Sequence, residues 1–167
     1  TYDMAIQGNG FFAIKVVDKN GDSSIKYTRN GQFTITNEGY VDDVDGNRLQ
    51  GANGDVQVPV DATDVAIKLN GAVYANGEQV DTITLTDFED YNYLDLYGDN
   101  MYNAVDGATT KSSTATILQG FTEQSNVNVV DEMVSMITIT RAYEAGQKMI
   151  KTQDSLLEQA VSSVGKV

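Results

Sequence analysis

Residues 128–163 read NVVDEMVSMITITRAYEAGQKMIKTQDSLLEQAVSS, and this stretch decides how the chain is organised. Every seventh position from Val129 is apolar, which is the spacing of residues that line one side of a helix. We call this column the seam, and its members are Val129, Met136, Tyr143, Ile150 and Leu157. A second column beside the seam contains Ala142, Met149 and Leu156. The pattern predicts one amphipathic helix, on the order of 50 Å long at about 1.5 Å per residue.

The ends of this helix carry their own signals. Asn128 can cap the first turn, and Asp131 follows three residues later as in a capping box. Gly165 and Lys166 are a predicted stop, because glycine tolerates the left-handed conformation and a cation suits the carbonyl end of a helix. Gly146 costs about 1 kcal/mol relative to alanine inside a helix, so we expect another backbone to approach closely there.

No other segment of the sequence has this length and periodicity. The apolar columns must therefore be covered either by other chains or by the rest of this chain. We interpret the helix as an assembly element. The alternative, in which the helix folds back onto its own β domain, stays open at this point.

The chain before the helix is predicted to be an antiparallel β domain, either a sandwich or a partial barrel. Asn-Gly pairs recur through it, and they favour the primed turns that join antiparallel strands. Residues 91–102 read as a loop with a short helical or irregular turn, and residues 108–116 read as a connection towards the helix. The predicted strands are 11–17, 25–28, 32–36, 56–60, 65–69, 72–75 and 80–88.

Two domains are therefore expected. Residues 1–120 form the β domain, and residues 121–167 form a connector and the long helix. The overall class is mainly β with one C-terminal α-helix. Thr1 is not an initiator methionine, and the sequence reads as strand almost at once, so we expect that a further segment precedes it.

The formal net charge of −13 is unevenly distributed. From Ser125 onward five acids and four bases give −1, which leaves −12 on the preceding part. Such a surface repels phosphate backbones and anionic membranes, so nucleic acid is not an expected partner. No apolar run of about 18 residues occurs, and membrane insertion is not expected.

The chain contains no cysteine, histidine or tryptophan. This excludes thiolate and histidine zinc sites, cysteine nucleophiles and histidine-based triads. No nucleophile motif marks a serine, lysine or tyrosine, and no pair of carboxylates stands out for glycoside hydrolysis. We therefore predict that the protein is not an enzyme and needs no cofactor.

Three short motifs imitate ligand sites. Residues 8–13, GNGFFA, match a dinucleotide fingerprint, but a strand pattern follows where that fingerprint requires a helix, so we predict a glycine turn that enters a hairpin. Residues 18–22 open like an EF-hand loop, yet Arg29 stands where the twelfth-position glutamate is needed. Asp42, Asp43 and Asp45 could hold calcium weakly, although a solvated acidic turn is the preferred interpretation.

Several stretches resemble the flagellar rod and hook axial proteins of bacteria. They are DMAIQGNGFF at 3–12, YTRNGQF at 27–33 and NEGYV at 37–41, followed by QSNVNVVDEMV at 124–134 and TRAYEA at 140–145. About 70 residues separate Gly51 from Gly120, which leaves no room for the extra outer domain of hook proteins and favours a rod subunit.

The resemblance implies a structural role in the flagellar basal body, beyond the cytoplasmic membrane. Terminal helices of the family pack into the inner tube of a helical assembly, and the β domains form an outer layer. Expected partners are copies of the chain, other rod and hook proteins, and the bushing rings around the rod. The expected interface combines the two columns with Met133, Arg141 and Glu144, the last two fixing register by charge pairing.

Two alternatives of another class are open. A cell-surface binding module on a helical stalk would have a ligand pocket and a stalk that forms a closed bundle. A calcium-dependent module would have a melting temperature that shifts with calcium.

Overall fold

The computed structural model describes residues 2–165, which divide into one compact unit that ends at Gln124 and a second that begins at Ser125. Within these residues the chain forms fifteen strands and one α-helix. In chain order they are β1 (Met4–Gln7), β2 (Phe11–Val17), β3 (Ser23–Thr28), β4 (Thr34–Ile35), β5 (Val41–Asp42), β6 (Arg48–Gly51), β7 (Gly54–Asp55), β8 (Val65–Ile67), β9 (Ala72–Ala75), β10 (Glu78–Thr82), β11 (Leu85–Phe88), β12 (Leu94–Tyr97), β13 (Met101–Ala104), β14 (Thr110–Ser112), β15 (Thr116–Gln119) and α1 (Val129–Val164). The predicted class, mainly antiparallel β with one long C-terminal helix, is confirmed, and the sheets do not close into a barrel among the described residues.

The strands of the first unit form three antiparallel sheets. The largest has the order β12-β13-β3-β2-β6-β5-β4, with β11 attached at β2, β14 attached at β11 and β7 attached at β6. The second has the order β10-β9-β8, and the third pairs β1 with β15. Because Met4 lies opposite Gln119 in that pair, the first and last strands of the unit lie side by side.

The hairpin loops explain why short alternating runs become strands here. Four loops among the described residues share one geometry, in which a three-residue loop closes with a glycine at positive φ. These loops join residues 18 and 22, 36 and 40, 43 and 47, and 68 and 72. The two-residue primed turn predicted for Asn-Gly pairs forms at Asn76-Gly77, where both φ angles are positive, but it is wrong for 20–21 and 70–71.

One apolar core lies between the sheets. Its members are Met4, Ile6, Phe12, Ile14, Phe33, Val41, Leu49, Val56, Val58, Val73, Ala75, Ile83 and Ile117. The side-chain amide of Gln119 ties two sheets together around this core, because it accepts from the backbone N–H of Ile67 at 2.7 Å and donates to the carbonyl of Val65 at 3.3 Å. The edge of β8 is thereby closed by a side chain.

An aromatic layer covers the other face of the large sheet. The rings of Tyr27 and Phe88 meet edge to face with centroids 4.9 Å apart, and Phe11 and Tyr102 meet in the same way at 5.6 Å. Edge-to-face pairs of this kind stabilise a fold beyond the area they bury. The hairpin of β12 and β13 is therefore anchored through Tyr102.

Four predictions about the strands are wrong. Residues 56–60 were predicted as a strand but form only an isolated bridge at Gln57, although Val56 and Val58 point into the core. The short helical turn predicted within residues 91–102 forms at Tyr91–Tyr93, but the remainder, predicted as loop, contains β12 and the start of β13. Residues 108–116 contain β14. Residues 80–88 were predicted as one strand but contain parts of β10 and β11, which belong to different sheets. The glycine turn at 8–10 enters a hairpin as predicted, because it leads directly into β2, which pairs with β3.

Gly31 occupies a place where only a glycine fits. Its carbonyl accepts the backbone N–H of Met4 at 2.8 Å, which holds β1 against the end of β3. A Cβ atom on Gly31 would lie 1.6 Å from the carbonyl oxygen of Met4, far inside contact distance. The approach of two backbones, rather than an unusual φ, therefore requires glycine here.

Gly31→Ala is expected to lower the free energy of unfolding by about 3 kcal/mol, because β1 would have to move away from the sheet. The matched control is Gly21→Ala, where φ is +91° but no atom lies within 4 Å. Left-handed strain alone should cost that variant about 1 to 2 kcal/mol. Chemical denaturation of both variants measures the difference, and equal losses would contradict the close approach.

Candidate assembly interface

The helix α1 is defined by local sequence at its start. The Asn128 side-chain oxygen accepts the backbone N–H of Val130 at 3.1 Å, and Asp131 and Glu132 lie in the first turn. Both acids suit the positive end of the helix dipole. At the other end α1 stops at Val164, directly before Gly165 as predicted, but Gly165 has a φ of −78° and not the expected left-handed conformation. Lys166 lies outside the described residues.

The seam is exposed to solvent along the whole helix. Its five side chains are between 55% and 70% exposed. Met149 and Leu156 of the second column are similarly exposed, and no described residue of α1 is buried. An apolar surface of this extent is typical of a protein interaction site.

The seam follows a path that a neighbouring helix could match. Positions seven apart drift by about 20° per heptad on a straight helix, so the column winds slowly around α1. The second column lies roughly 100° around the axis from it, and the two columns together form one apolar side. Gly146 lies within this apolar side, and no atom lies within 4 Å of the position its Cβ would take.

The first three turns carry apolar residues on an adjacent side of the helix as well. Val130, Val134 and Ile137, at spacings of four and three residues, form what we call the N-terminal patch, and all three are more than half exposed. Beyond it the same side is polar and carries Arg141 and Lys148. This patch was not predicted from the sequence, because it is confined to the first three turns and its apolar spacing ends at Ile137, with Glu144 at the next heptad position.

The two charged residues of the expected interface are not engaged elsewhere. Among the described residues, the ion pairs do not include Arg141 or Glu144. The two lie three positions apart and so share one side of α1. Both belong to the polar side of α1, and Glu144 is the nearer of the two to the seam.

The carboxylates at 42–45 do not act as one group. The Asp43 Oδ1 atom accepts the backbone N–H groups of Asp45 at 2.9 Å and Asn47 at 2.8 Å, so it organises its own turn. Asp42 lies on β5, and its Oδ1 atom is buried without a hydrogen-bond partner among the described atoms. No cluster of three or more metal-ligating side chains occurs in residues 2–165.

Burial and charge shift two carboxyl groups of this region in opposite directions. Burial raises the pKa of Asp42 above its ordinary value of 3.8, and the charge of Arg48 only partly opposes it. Burial also pushes the pKa of Asp55 upward, but hydrogen bonds from Gln50, Arg48 and Lys15 outweigh this and hold the pKa below 3.8. Asp55 is thus stabilised as an anion, and Asp42 is not.

The helix of the described residues lacks the run of apolar residues needed to cross a membrane.

Together, the sheets and the exposed seam define a β-domain protein with a long helix that presents an uncovered apolar side. Comparison with known proteins narrows this class. Residues 5–75 match the family described as the flagellar hook protein FlgE/F/G D1 domain. Residues 118–163 match the flagellar basal body rod FlgEFG protein C-terminal family.

Relatives align over nearly the whole chain. The flagellar basal-body rod protein FlgG of Caulobacter vibrioides is 33% identical over 93% of this chain and 62% of its own length. FlgF of the same bacterium is 34% identical over 99% of this chain and 66% of its own length. FlgF of Rhizobium meliloti is 30% identical over 98% of this chain and 67% of its own length. The chain belongs to the flagellar basal-body rod protein family, and it spans a little under two thirds of the length of the FlgG relatives it matches.

Asp42→Asn is expected to raise the melting temperature at pH 7 by about 2 °C, roughly 1 kcal/mol, because it removes a buried, unpaired anionic oxygen. The folded pKa is raised, so the penalty is present above the folded pKa and vanishes below pH 3.8. The gain should therefore disappear in acid. Thermal unfolding followed by circular dichroism tests this, over a range from about pH 3 to about pH 7 that brackets the pKa of a carboxyl group.

The matched comparison is Asp55→Asn. Its folded pKa is depressed, so its stabilising contribution is present above pH 3.8 and is lost as the pH falls through the folded pKa. This variant should have a lower melting temperature at pH 7. If the melting temperatures of both variants shifted in the same direction at pH 7, the opposite roles assigned to the two carboxylates would be contradicted.

Proposed function

We propose that this chain is a structural axial component of the bacterial flagellar rod. It assembles through α1 into a helical tube that transmits torque from the motor to the hook. The observation that carries this proposal is the exposed seam on a 36-residue helix. Family membership supports it, because the relatives are named as basal-body rod proteins.

Burial of the seam between subunits supplies the free energy of assembly. Covering each large apolar side chain contributes roughly 1.5 to 3 kcal/mol. In this proposal the seam, the second column and Met133 are desolvated between chains. Arg141 and Glu144 fix register by pairing across the interface, and close packing carries the torque without any chemical step.

The N-terminal patch indicates more than one neighbour. One helix packed along the seam does not also cover Val130, Val134 and Ile137, which lie roughly 100° around the helix axis from Val129. Two different contact surfaces on one subunit generate an open helical array when the rotation between copies does not close. Neighbouring subunits are therefore proposed to pack against two sides of α1 in its first three turns. Gly146 is proposed as a point where the backbone of a neighbouring helix approaches closely.

One of the covering helices is proposed to come from chain that precedes residue 1. The relatives are longer than this chain. Since β1 and β15 pair side by side, chain that enters the unit before Met4 starts beside the point where chain leaves after Gln119. We propose the outer layer for the β domain of residues 1–120, and the inner layer for residues 121–167 together with that preceding helix.

The remaining proposals follow from the rod assignment. The protein acts without catalysis or cofactors, in the basal body and beyond the cytoplasmic membrane. Its partners are copies of itself, other rod and hook proteins, and the surrounding rings. The distal part of the rod is the preferred position, and proximal rod and hook positions are the alternatives. Identity to FlgG and to FlgF is nearly the same.

The binding-module alternative makes a different prediction about size. An acidic β domain on a stalk should form one discrete oligomer, whereas a rod subunit should form open polymers. Sedimentation velocity over a range of concentrations distinguishes them. A single sharp species such as a trimer favours the stalk, and continuous growth favours the rod.

Ile150→Asp combined with Leu157→Asp is expected to abolish polymer formation and swimming, because two charges would be buried in the seam. The β domain should remain folded, with an unchanged melting temperature. The matched control is Ser155→Asp combined with Gln159→Asp, which adds the same charge on the polar side of α1. Normal swimming of the seam variant, or equal loss in the control, would refute the assignment.

Val130→Asp combined with Ile137→Asp tests the N-terminal patch separately. If a second neighbour covers this patch, the variant should fail to form long polymers although its seam is intact. Electron microscopy of polymers formed by the purified protein measures their length. Polymers of normal length would show that the patch stays in solvent.

A further inference from the structure

Arg29 lies directly after β3 and binds two segments that are remote from it in sequence. Its Nε atom donates to both carboxylate oxygens of Glu123, at 2.8 Å and 3.1 Å. Glu123 belongs to the connector that follows β15. The pair is separated by 94 residues and is partly exposed.

The rest of the guanidinium group holds the turn between β1 and β2. Nη1 donates to the carbonyls of Gly8 at 3.1 Å and Gly10 at 2.9 Å, and Nη2 donates to the carbonyl of Ile6 at 3.1 Å. A planar fork of N–H groups can serve these acceptors and a carboxylate at once. The ammonium group of lysine is a single point charge and cannot do so.

The turn is held from its other side as well. Gly8 and Gly10 have φ angles of +121° and +140°, and Cβ atoms there would lie 2.9 Å from the Ala115 Cβ and 2.7 Å from the Ser113 Oγ. The Ser113 hydroxyl also donates to the carbonyl of Asn9. The glycines that imitate a dinucleotide fingerprint thus allow a tight turn whose carbonyls face an arginine.

The connector has few other anchors. Gly120 donates its backbone N–H to the carbonyl of Asp3 at 2.7 Å. For residues 121–124, the hydrogen bonds in the described part of the chain are those between Glu123 and Arg29. Phe121 is 62% exposed and supplies little packing. The Arg29 pair is therefore the contact that fixes the connector.

We propose that Arg29 is a positioning residue that latches the connector to the first unit. It fixes the start of the unit, through the turn at 8–10, and the point at which the chain leaves the unit towards α1. The chain becomes free to move only beyond Glu123. This proposal is independent of the rod assignment, because all of its contacts lie within the first unit.

The latch has two parts that can be separated. Glu123→Ala removes only the connector part and leaves the carbonyl contacts in place. Arg29→Lys weakens both parts. Because the ion pair is partly exposed, about 1 M salt should also release the connector in the unmodified chain, whereas the neutral carbonyl contacts should persist.

A nitroxide label next to Glu123 measures this release in the full chain. The sequence has no cysteine, so Gln124→Cys gives one labelling site. Glu123→Ala and Arg29→Lys should each shorten the rotational correlation time of the label by about twofold or more, into faster nanosecond motion. The control is Glu38→Ala, which removes the carboxylate 4.0 Å from Arg48 and should leave the label unchanged.

Amide hydrogen exchange tests the second part. Arg29→Lys should speed exchange at residues 8–11, while Glu123→Ala should not, and the melting temperature of Glu123→Ala should stay at that of the parent. Equal label mobility in the parent, in Glu123→Ala and in high salt would overturn the proposal. Unchanged exchange at residues 8–11 in Arg29→Lys would overturn its role at the turn.

Discussion

The constraint on which this structure depends is the apolar side of α1, whose exposure to water is unfavourable. The first unit has its own buried core between three sheets and an aromatic layer on a further face. The helix α1 has no buried residue among those described, yet it presents apolar side chains along 36 residues. A helix of this kind gains most of its stability from packing rather than from propensity. The first unit is therefore stable through its own core, whereas α1 in the second unit requires partners to cover its apolar side.

The helix could be predicted closely because its signals are local and long. Val129 is the first helical residue and Asn128 precedes it, as the capping pattern indicates. Two strands, Phe11–Val17 and Ala72–Ala75, also have the predicted bounds, because glycine turns flank a run of apolar or β-branched residues. Local chemistry of this kind determines where elements begin and end.

What the sequence did not disclose depends on contacts between distant residues. The strand at Leu94–Tyr97 pairs with β13, and β13 in turn pairs with β3, which is remote in sequence. The strand pattern at 56–60 has the right residues, but its backbone makes only scattered hydrogen bonds, to Leu49, Val41 and Gly39, and an isolated bridge in place of a continuous ladder. The partner of Arg29 is 94 residues away, and no pattern near Arg29 points to Glu123. Such pairings follow from topology, which local periodicity does not encode.

The central claim is that other chains cover the apolar side of α1. Amide hydrogen exchange, followed along Val129–Val164 before and after polymer formation, tests it most directly. The account predicts rapid exchange of the helix in the monomer and strong protection along the seam in the polymer, with little change in the β sheets. Strong protection of the helix already in the monomer, or an unprotected helix within the polymer, would contradict the account.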